Sequence, residues 1–281
     1  MKRKGPRGAG KAAKGGNRSR APRPKASAGG KIAAGGRDLA ARPAVRRTAV
    51  EILTDSDRSG DFIDEVLARR IREFDPLDRH LLQEISYGTV RHRGTLDQLL
   101  KQHLKAPPSK QRPPVRWALR LGAYQLVYLG RIPPHAAVNQ TLEGLKGIDG
   151  VTAKDIGFVN AVLHKLAAEI RKKTAEPPAE RDDPTVLPIR KGFCHFSRPV
   201  LPLYRMDPVQ HIAVKHSYPP WLVARWVERF GEEEARLLCE TQNRTPPLTA
   251  RVTSAAPSRE AAIAALEAEG MTAAPGNLEP A

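Results

Sequence analysis

The chain has 281 residues, 40% of them hydrophobic, which is enough for two modest domains with a buried core in each. Its two cysteines, Cys194 and Cys239, lie far apart without CxxC spacing, which excludes a disulfide framework and predicts a cytoplasmic location. The longest uncharged apolar stretch has about 10 residues, half of what a membrane-spanning helix needs, and no apolar region follows the N-terminal charges as in a secretory signal.

The net charge of +17 is concentrated at the N terminus. Residues 1–47 carry 15 Lys and Arg side chains and a single acid, Asp38, whereas the rest of the chain is close to balanced. Residues 1–41 also lack the apolar side chains that a core requires, so we expect a disordered basic tail. Such a tail suits a polyanion, because neutralised phosphates release their counterions. Improved solubility is the simpler alternative.

One stretch of this tail resembles a nucleotide-binding motif. Residues 5–11 fit the first seven positions of a phosphate-binding P-loop. The next position of that motif must be Ser or Thr, to hold magnesium, but here it is Ala12, and no predicted strand precedes it. We therefore predict no nucleotide site in the tail.

Helical periodicity begins near residue 42, where Val45, Ala49 and Ile52 fall on one face. A second helix follows at residues 62–71. Asp75 and Pro76 predict the start of a third, because Asp caps helices and Pro fits their first position. We expect that helix to bury Leu77, Leu81, Leu82 and Ile85. Further helices are predicted at residues 96–104, 114–129, 134–146 and 153–170. Because no period-two alternation occurs in this region, we predict a mainly α fold with an all-helical domain at residues 42–174.

The remaining sequence changes in character. Residues 175–216 are rich in Pro, with a short β-prone patch at 192–196, and we interpret them as a linker. Beyond the linker, helices are predicted at 221–230 and 232–242, a strand at 248–252, an amphipathic helix at 258–269 and a strand at 271–274. Residues 217–281 would then be a small, incomplete α/β segment. We therefore expect the sequence to be the front part of a longer protein.

No complete catalytic, cofactor or metal site is recognisable. GxSxG, HExxH and a GxGxxG that follows a strand are all missing. His211 and His216 have no nearby set of carboxylate ligands, so we interpret them as surface histidines. Three consecutive glutamates from Glu232 open a helix, where they stabilise its dipole. Cys194 and Cys239 have no adjacent cations to hold a thiolate. We expect no catalytic residue, no metal and no cofactor in this chain.

Basic side chains in the folded region are the candidate RNA contacts. They form two groups, Arg91 with Arg93 at the end of one helix, and Lys110, Arg112, Arg116 and Arg120 at the start of the next. The three arginines of the second group share a helix face, because they recur at four-residue spacing. Arginine binds phosphate oxygens bidentately, so either group could form a phosphate track. A solvated helix face is the alternative interpretation.

Three stretches of the helical region resemble the NusB family of antitermination factors. They are DPLDRHLLQEISYGTVR at 75–91, IPPHAAVNQ at 132–140 and GFVNAVL at 157–163. The chain is more similar still to the N-terminal part of the RsmB (Fmu or Sun) ribosomal RNA methyltransferases. The residues that favour RsmB are YPPWLVARW at 218–226, FG at 230–231, NRTPPL at 243–248 and ARV at 250–252, which resemble the segment leading to its catalytic domain.

The resemblance implies a NusB-like RNA-binding fold at residues 42–174, an adaptor at 217–281 and small-subunit ribosomal RNA as the partner. In that family a further domain binds S-adenosylmethionine, and a cysteine attacks cytosine so that carbon 5 accepts a methyl group. Neither cysteine here lies in the Pro-Cys or Thr-Cys pair that carries this chemistry, so S-adenosylmethionine is expected only if a C-terminal catalytic domain exists. Arg42, Arg46 and Arg47 correspond to the part of NusB-like folds that contacts RNA.

The favoured function is therefore RNA recognition for an rRNA cytosine-5 methyltransferase whose catalytic domain is missing from this sequence. The alternative is a standalone RNA-binding factor in transcription antitermination or ribosome assembly, with protein contacts through its helical domain. An enzyme that acts through the residues present is a third hypothesis.

Overall fold

The computed structural model describes residues 43–244, 246, 248–253 and 258–276. The predicted tail at 1–41, its P-loop-like stretch and Arg42 lie outside these residues. The helices are α1 (Pro43–Ser59), α2 (Ile63–Arg70), α3 (Pro76–Arg91), α4 (Arg93–Lys101), α5 (Pro113–Tyr128), α6 (Pro134–Lys146), α7 (Ala153–Glu169), α8 (Pro208–His216), α9 (Pro220–Phe230), α10 (Glu232–Asn243) and α11 (Arg259–Ala268). The strands are β1 (Ile170–Thr174), β2 (Val186–Ile189) and β3 (Gly192–Phe196). In the described part of the chain, no helix is long and apolar enough to cross a bilayer.

The mainly α fold is confirmed, and its centre is α5. Every residue of α5 from Trp117 to Tyr128 is buried, because α1, α3, α4, α6 and α7 surround it. Apart from Arg116, Arg120 and Gln125, its sequence from Val115 to Tyr128 is apolar around the whole helix rather than on one stripe, as expected of a central helix. Gly122 allows α7 to approach, since a β-carbon there would lie 2.4 Å from Cδ1 of Leu163.

Helix α3 begins at the predicted cap. The Asp78 amide donates to Oδ1 of Asp75 at 2.9 Å, with Pro76 in the first turn. Leu81, Leu82 and Ile85 are buried as expected. The expectation for Leu77 is wrong: it is 55% exposed. Residue 77 lies in the first turn of α3, which projects beyond the core, so helical periodicity alone overestimates its burial.

A three-stranded antiparallel sheet follows α7 directly, in the order β1-β3-β2. Leu187, Cys194 and Phe196 of this sheet belong to the same apolar core as the helices. From β1, Lys173 Nζ donates to the carbonyl oxygens of Leu126 and Leu129 at 2.7 and 3.1 Å, at the end of α5. The predicted linker therefore contains regular structure: the β-prone patch at 192–196 is strand β3, and β2 and α8 also lie within 175–216.

Helices α8, α9 and α10 enclose a second, smaller core. Ile212, Ala213, Val223 and Cys239 are fully buried in it. The helices predicted at 221–230 and 232–242 are confirmed as α9 and α10, and α11 matches the prediction at 258–269. The residues that the structure describes within 248–252 and 271–274 form no strand, contrary to the prediction.

Candidate nucleic-acid interface

The predicted stripe of arginines on α5 is bound to carboxylates of other helices. The pairs are Arg112 with Asp155, Arg116 with Asp57, and Arg120 with Asp97. The last pair is bidentate, with both N–O distances at 2.7 Å, and the Arg120 side chain is only 6% exposed. The Arg112 side chain, by contrast, remains 55% exposed. Arg116 and Arg120 therefore connect helices, whereas Arg112 can still face a ligand.

The arginines of α1 also divide between the interior and the surface. Arg46 is fully buried, and its Nε donates to Oε1 of Gln125 at 3.0 Å. Gln125 in turn donates to Oγ1 of Thr141 at 2.9 Å, so Arg46 belongs to a polar network inside the helical core. Arg47 is 51% exposed and pairs with Glu51 at 2.8 Å. Successive residues of a helix point about 100° apart, so one of two adjacent arginines faces the core.

The structure leaves the side chains of Arg91, Arg93 and Lys110 accessible to a phosphate. All three are exposed, and no carboxylate among the described residues forms an ion pair with them. Together with Arg47 and Arg112 they are the predicted contacts that the fold leaves at the surface. Arg46, Arg116 and Arg120 are occupied by protein partners, so we leave them out of the proposed interface.

Arg91 also lines a cavity of about 810 Å³, which no sequence motif indicated. Its walls come from α3 and α5, from the residues around β2 and β3, and from α8 and α10. Five cationic side chains line it, namely Arg91, Arg181, Arg190, Lys215 and Arg244, against two carboxylates, Glu84 and Glu240. This nucleotide-sized space, which we call the basic cavity, is therefore electropositive.

Stacked rings form one wall of the basic cavity. The ring centroids of His92 and Tyr128 are 4.0 Å apart with an interplanar angle of 20°, and Tyr124 stacks on Tyr128 at 5.2 Å. The Tyr124 hydroxyl donates to Oε1 of Glu84 at 2.8 Å. Burial lowers the pKa of His92 to about 4, and the charge of Arg91 is a second, smaller cause of this shift. Burial raises the pKa of both tyrosines. The aromatic wall is therefore uncharged at neutral pH.

Three of the five cations of the basic cavity already have partners. Arg181 pairs with Glu233 at 2.7 Å, Arg190 with Glu84 at 3.7 Å, and Lys215 Nζ donates to the carbonyl oxygen of Arg181 at 2.6 Å. For Arg91 and Arg244, in contrast, no ion pair is found within residues 43–244 or the shorter described stretches that follow. Their exposed guanidinium groups are the ones available to an anion.

His211 and His216 are buried, so the expectation of surface histidines is wrong. His211 Nδ1 donates to the carbonyl oxygen of Pro202 at 2.8 Å, and its Nε2 lies 3.6 Å from Asp182. His216 is 5% exposed, and burial followed by the nearby cations lowers its pKa to about 3. Asp182 also pairs with the buried Arg236. His211 therefore belongs to the Asp182 network, whereas His216 lines the basic cavity, and sequence spacing could place neither imidazole.

The described residues offer no other reactive centre. No group of three or more potential metal ligands occurs among them. Both cysteines are buried and free, and burial raises the pKa of each thiol to about 11. Burial therefore disfavours the thiolate form of both cysteines.

Comparison with known families accounts for both folded regions. Residues 43–168 match the NusB family. They are a NusB-family domain. Residues 218–281 match the ferredoxin-like domain of RsmF/B-like methyltransferases. A NusB domain followed by this second domain is the order of an RsmB-type N-terminal portion.

Curated relatives contain the NusB domain within longer proteins. The chain is 29% identical over 241 residues to the probable ribosomal RNA small subunit methyltransferase B of Bacillus subtilis strain 168, covering 84% of this chain and 46% of that protein. It is 30% identical over 189 residues to the ribosomal RNA small subunit methyltransferase B of Sodalis glossinidius, and the match covers 67% of this chain and 35% of that protein. The chain thus spans less than half the length of these relatives.

Among solved structures, the crystal structure of PH0851 has the same fold over both regions. It is 16% identical, with a TM-score of 0.52, and the match covers 85% of this chain and 47% of PH0851. The fold of the two regions therefore occurs in another protein.

Proposed function

We propose that this chain binds small-subunit ribosomal RNA as the RNA-recognition portion of an RsmB-type cytosine-5 methyltransferase. The observation that carries the proposal is the order of two domains, a NusB domain followed by the RsmF/B ferredoxin-like domain. Relatives named ribosomal RNA small subunit methyltransferase B align with both regions. A standalone antitermination or assembly factor would need only the helical domain, so the second match favours the methyltransferase. We also propose a cytoplasmic location for this activity.

The charges of the chain support RNA as the ligand. Exposed Arg47, Arg91, Arg93, Lys110 and Arg112 belong to the NusB domain or its immediate neighbourhood, and residues 1–47 supply most of the net charge. Cationic groups of this kind position a protein on phosphates, whereas sequence is read by contacts to the bases. We therefore propose that the tail gives affinity and the folded region gives preference among RNAs.

No methyl-transfer step is assigned to the residues of this chain. The sequence has no glycine-rich cofactor loop after a strand, and a buried thiol with a pKa near 11 does not fit an attacking nucleophile. We propose that any S-adenosylmethionine site belongs to a separate catalytic domain.

The decisive experiment compares the full chain with a variant that lacks residues 1–40. Binding to fragments of small-subunit rRNA and to a scrambled RNA is measured over a range of salt. The shortened protein should bind more weakly and with a flatter salt dependence, because fewer counterions are released, but it should retain its preference for one fragment. Loss of all preference with the tail would contradict recognition by the folded region.

A further inference from the structure

We propose that the basic cavity binds one unpaired nucleotide of RNA, with its base against the aromatic wall and its phosphate at Arg91 and Arg244. The inference rests on the proposed RNA-binding function and adds to it the structural form of RNA that is recognised. A base in a helix is stacked and paired, whereas a base in a loop or bulge can enter a pocket.

The size and the walls of the cavity fit a single nucleotide. Its volume of about 810 Å³ is in the range of small-molecule pockets and far below what a duplex needs. The stacked His92, Tyr124 and Tyr128 form one side, and Phe193 with Ile189 lines the hairpin side. Bases stack on aromatic side chains regardless of sequence, because every base has a π face.

The charges of the cavity favour an anion. Glu84 is occupied by the Tyr124 hydroxyl and by Arg190, which leaves Glu240 as the second carboxylate of the lining. The guanidinium groups of Arg91, on α3, and Arg244, just after α10, face the same space from the two folded regions. Arginine holds phosphate oxygens with two parallel hydrogen bonds, so one phosphate at the rim would satisfy groups that the described protein leaves without ion pairs.

The aromatic side also has unused hydrogen-bonding capacity. Nδ1 of His92 and Nε2 of His216 have no hydrogen-bond partner among the described residues, although both atoms are buried. Unpaired buried polar atoms are rare in folded proteins. The edge of a base carries donors and acceptors, but a base would have to displace the side chains that cover these two nitrogens before it could pair with them.

The first test measures affinity of the full chain for two RNAs of equal length and charge. One is a small-subunit rRNA hairpin with an unpaired loop, and the other is its fully paired counterpart. The variants are Arg91→Gln and Arg244→Gln, and the matched control is Arg131→Gln, which is also exposed but neither lines the cavity nor belongs to the proposed interface. The N-terminal tail is identical in every variant, so the change in the ratio of the two affinities relative to the unmodified chain isolates the cavity.

Each cavity variant should weaken binding of the looped RNA about tenfold and lower the preference for it, because stacking and phosphate contacts act together. The control should leave the preference unchanged. All three side chains are exposed, so melting temperatures should not change. Cavity variants that keep the full preference for the looped RNA would overturn the inference.

The second test locates the base directly. Looped RNA carrying 5-iodouridine in the loop is cross-linked to the full chain by ultraviolet light, and modified peptides are mapped by mass spectrometry. We expect cross-links at His92, Tyr124, Tyr128 or Phe193. Cross-links confined to other surfaces, or full competition by polyglutamate, would overturn the cavity as a base-binding site while leaving RNA binding in place. Failure of the unmodified chain to bind either RNA would instead contradict the proposed function.

Discussion

Gly88 of α3 lies directly against the phenol ring of Tyr124 of α5: a β-carbon at residue 88 would lie 2.0 Å from Cζ of that ring. Only glycine allows the two helices to approach so closely at this point. The contact also sets the position of Tyr124 in the aromatic wall of the basic cavity. The packing of α3 on α5 and the shape of the candidate site therefore depend on the same residue.

Gly88→Ala should destabilise the protein, because the added methyl group must displace a buried ring. We expect a loss of about 1–3 kcal/mol in the free energy of unfolding, measured by urea denaturation. Gly157→Ala is the matched control: Gly157 is also helical, but an added β-carbon there meets nothing within 4 Å. That variant should gain about 0.5–1 kcal/mol from helix propensity. Equal effects of both substitutions would contradict the packing at Gly88.

Arg120→Ala should cost much more stability than Arg112→Ala, although both arginines belong to the same predicted stripe and each pairs with an aspartate. Arg120 is nearly buried and its loss leaves Asp97 without its bidentate partner and Trp117 without a cation 4.6 Å from its ring. We expect about 3 kcal/mol for this change. Arg112→Ala breaks an exposed pair and should cost less than about 1 kcal/mol. Chemical denaturation at neutral pH measures both losses in the free energy of unfolding. Similar losses would contradict the burial of Arg120 relative to Arg112.

Arg46→Gln and Arg47→Gln should separate stability from RNA binding at two adjacent residues. Arg46→Gln removes the buried bond to Gln125 and should lower the free energy of unfolding by about 1–3 kcal/mol. Arg47→Gln should change stability by less than about 0.5 kcal/mol. If Arg47 touches a phosphate, its loss should also reduce the slope of log affinity against log salt by about one. An unchanged slope would remove Arg47 from the interface.

Stability should fall as the pH drops from 7 towards 4. Burial holds His92 and His216 neutral in the folded protein, with pKa values of about 4 and 3, whereas an unfolded histidine protonates near pH 6.5. Between these values the unfolded state binds more protons, so acid favours unfolding, by about 2 kcal/mol per histidine between pH 7.5 and 5.

His216→Asn tests this contribution, since asparagine does not titrate and the hydrogen bond that the Asn243 side-chain amide donates to the carbonyl of residue 216 can remain. The variant should show a flatter dependence of unfolding free energy on pH over the same window, whatever its stability at neutral pH. A slope equal to that of the unmodified protein would mean that His216 titrates normally in the fold.

The helices could be predicted from sequence because their signals are local. Asp75 followed by Pro76 gives the start of α3, and apolar spacing gives the extent of α5, α6 and α7 to within one residue. The helix predicted at 96–104 is α4, but it lies three residues earlier, at Arg93–Lys101. The sheet could not be predicted in the same way, because β1 pairs with β3 across an intervening Pro-rich stretch. The sequence therefore predicts residue 170 as the last residue of a helix, whereas the structure has it as the first residue of β1.

The candidate site shows the same limit. Four-residue spacing predicts that Arg112, Arg116 and Arg120 share a helix face, but Arg112 precedes α5. Their aspartate partners lie on other helices, and no local pattern reveals them. The basic cavity is assembled from distant segments, with Arg91 and Arg244 far apart in sequence. Only the spacing of Tyr124 and Tyr128 hints at its aromatic wall.

The bond from Lys173 to the carbonyls of Leu126 and Leu129 bears on where the cooperative folding unit ends. The match to the NusB family ends at residue 168, yet the cation that caps α5 and the apolar side chains of Leu187, Cys194, Phe196, Val200 and Leu201 come later in the chain. A protein cut at 168 would leave the last turn of its central helix uncapped and part of its core in water. The segment that matches the NusB family is therefore shorter than the segment whose side chains form one core.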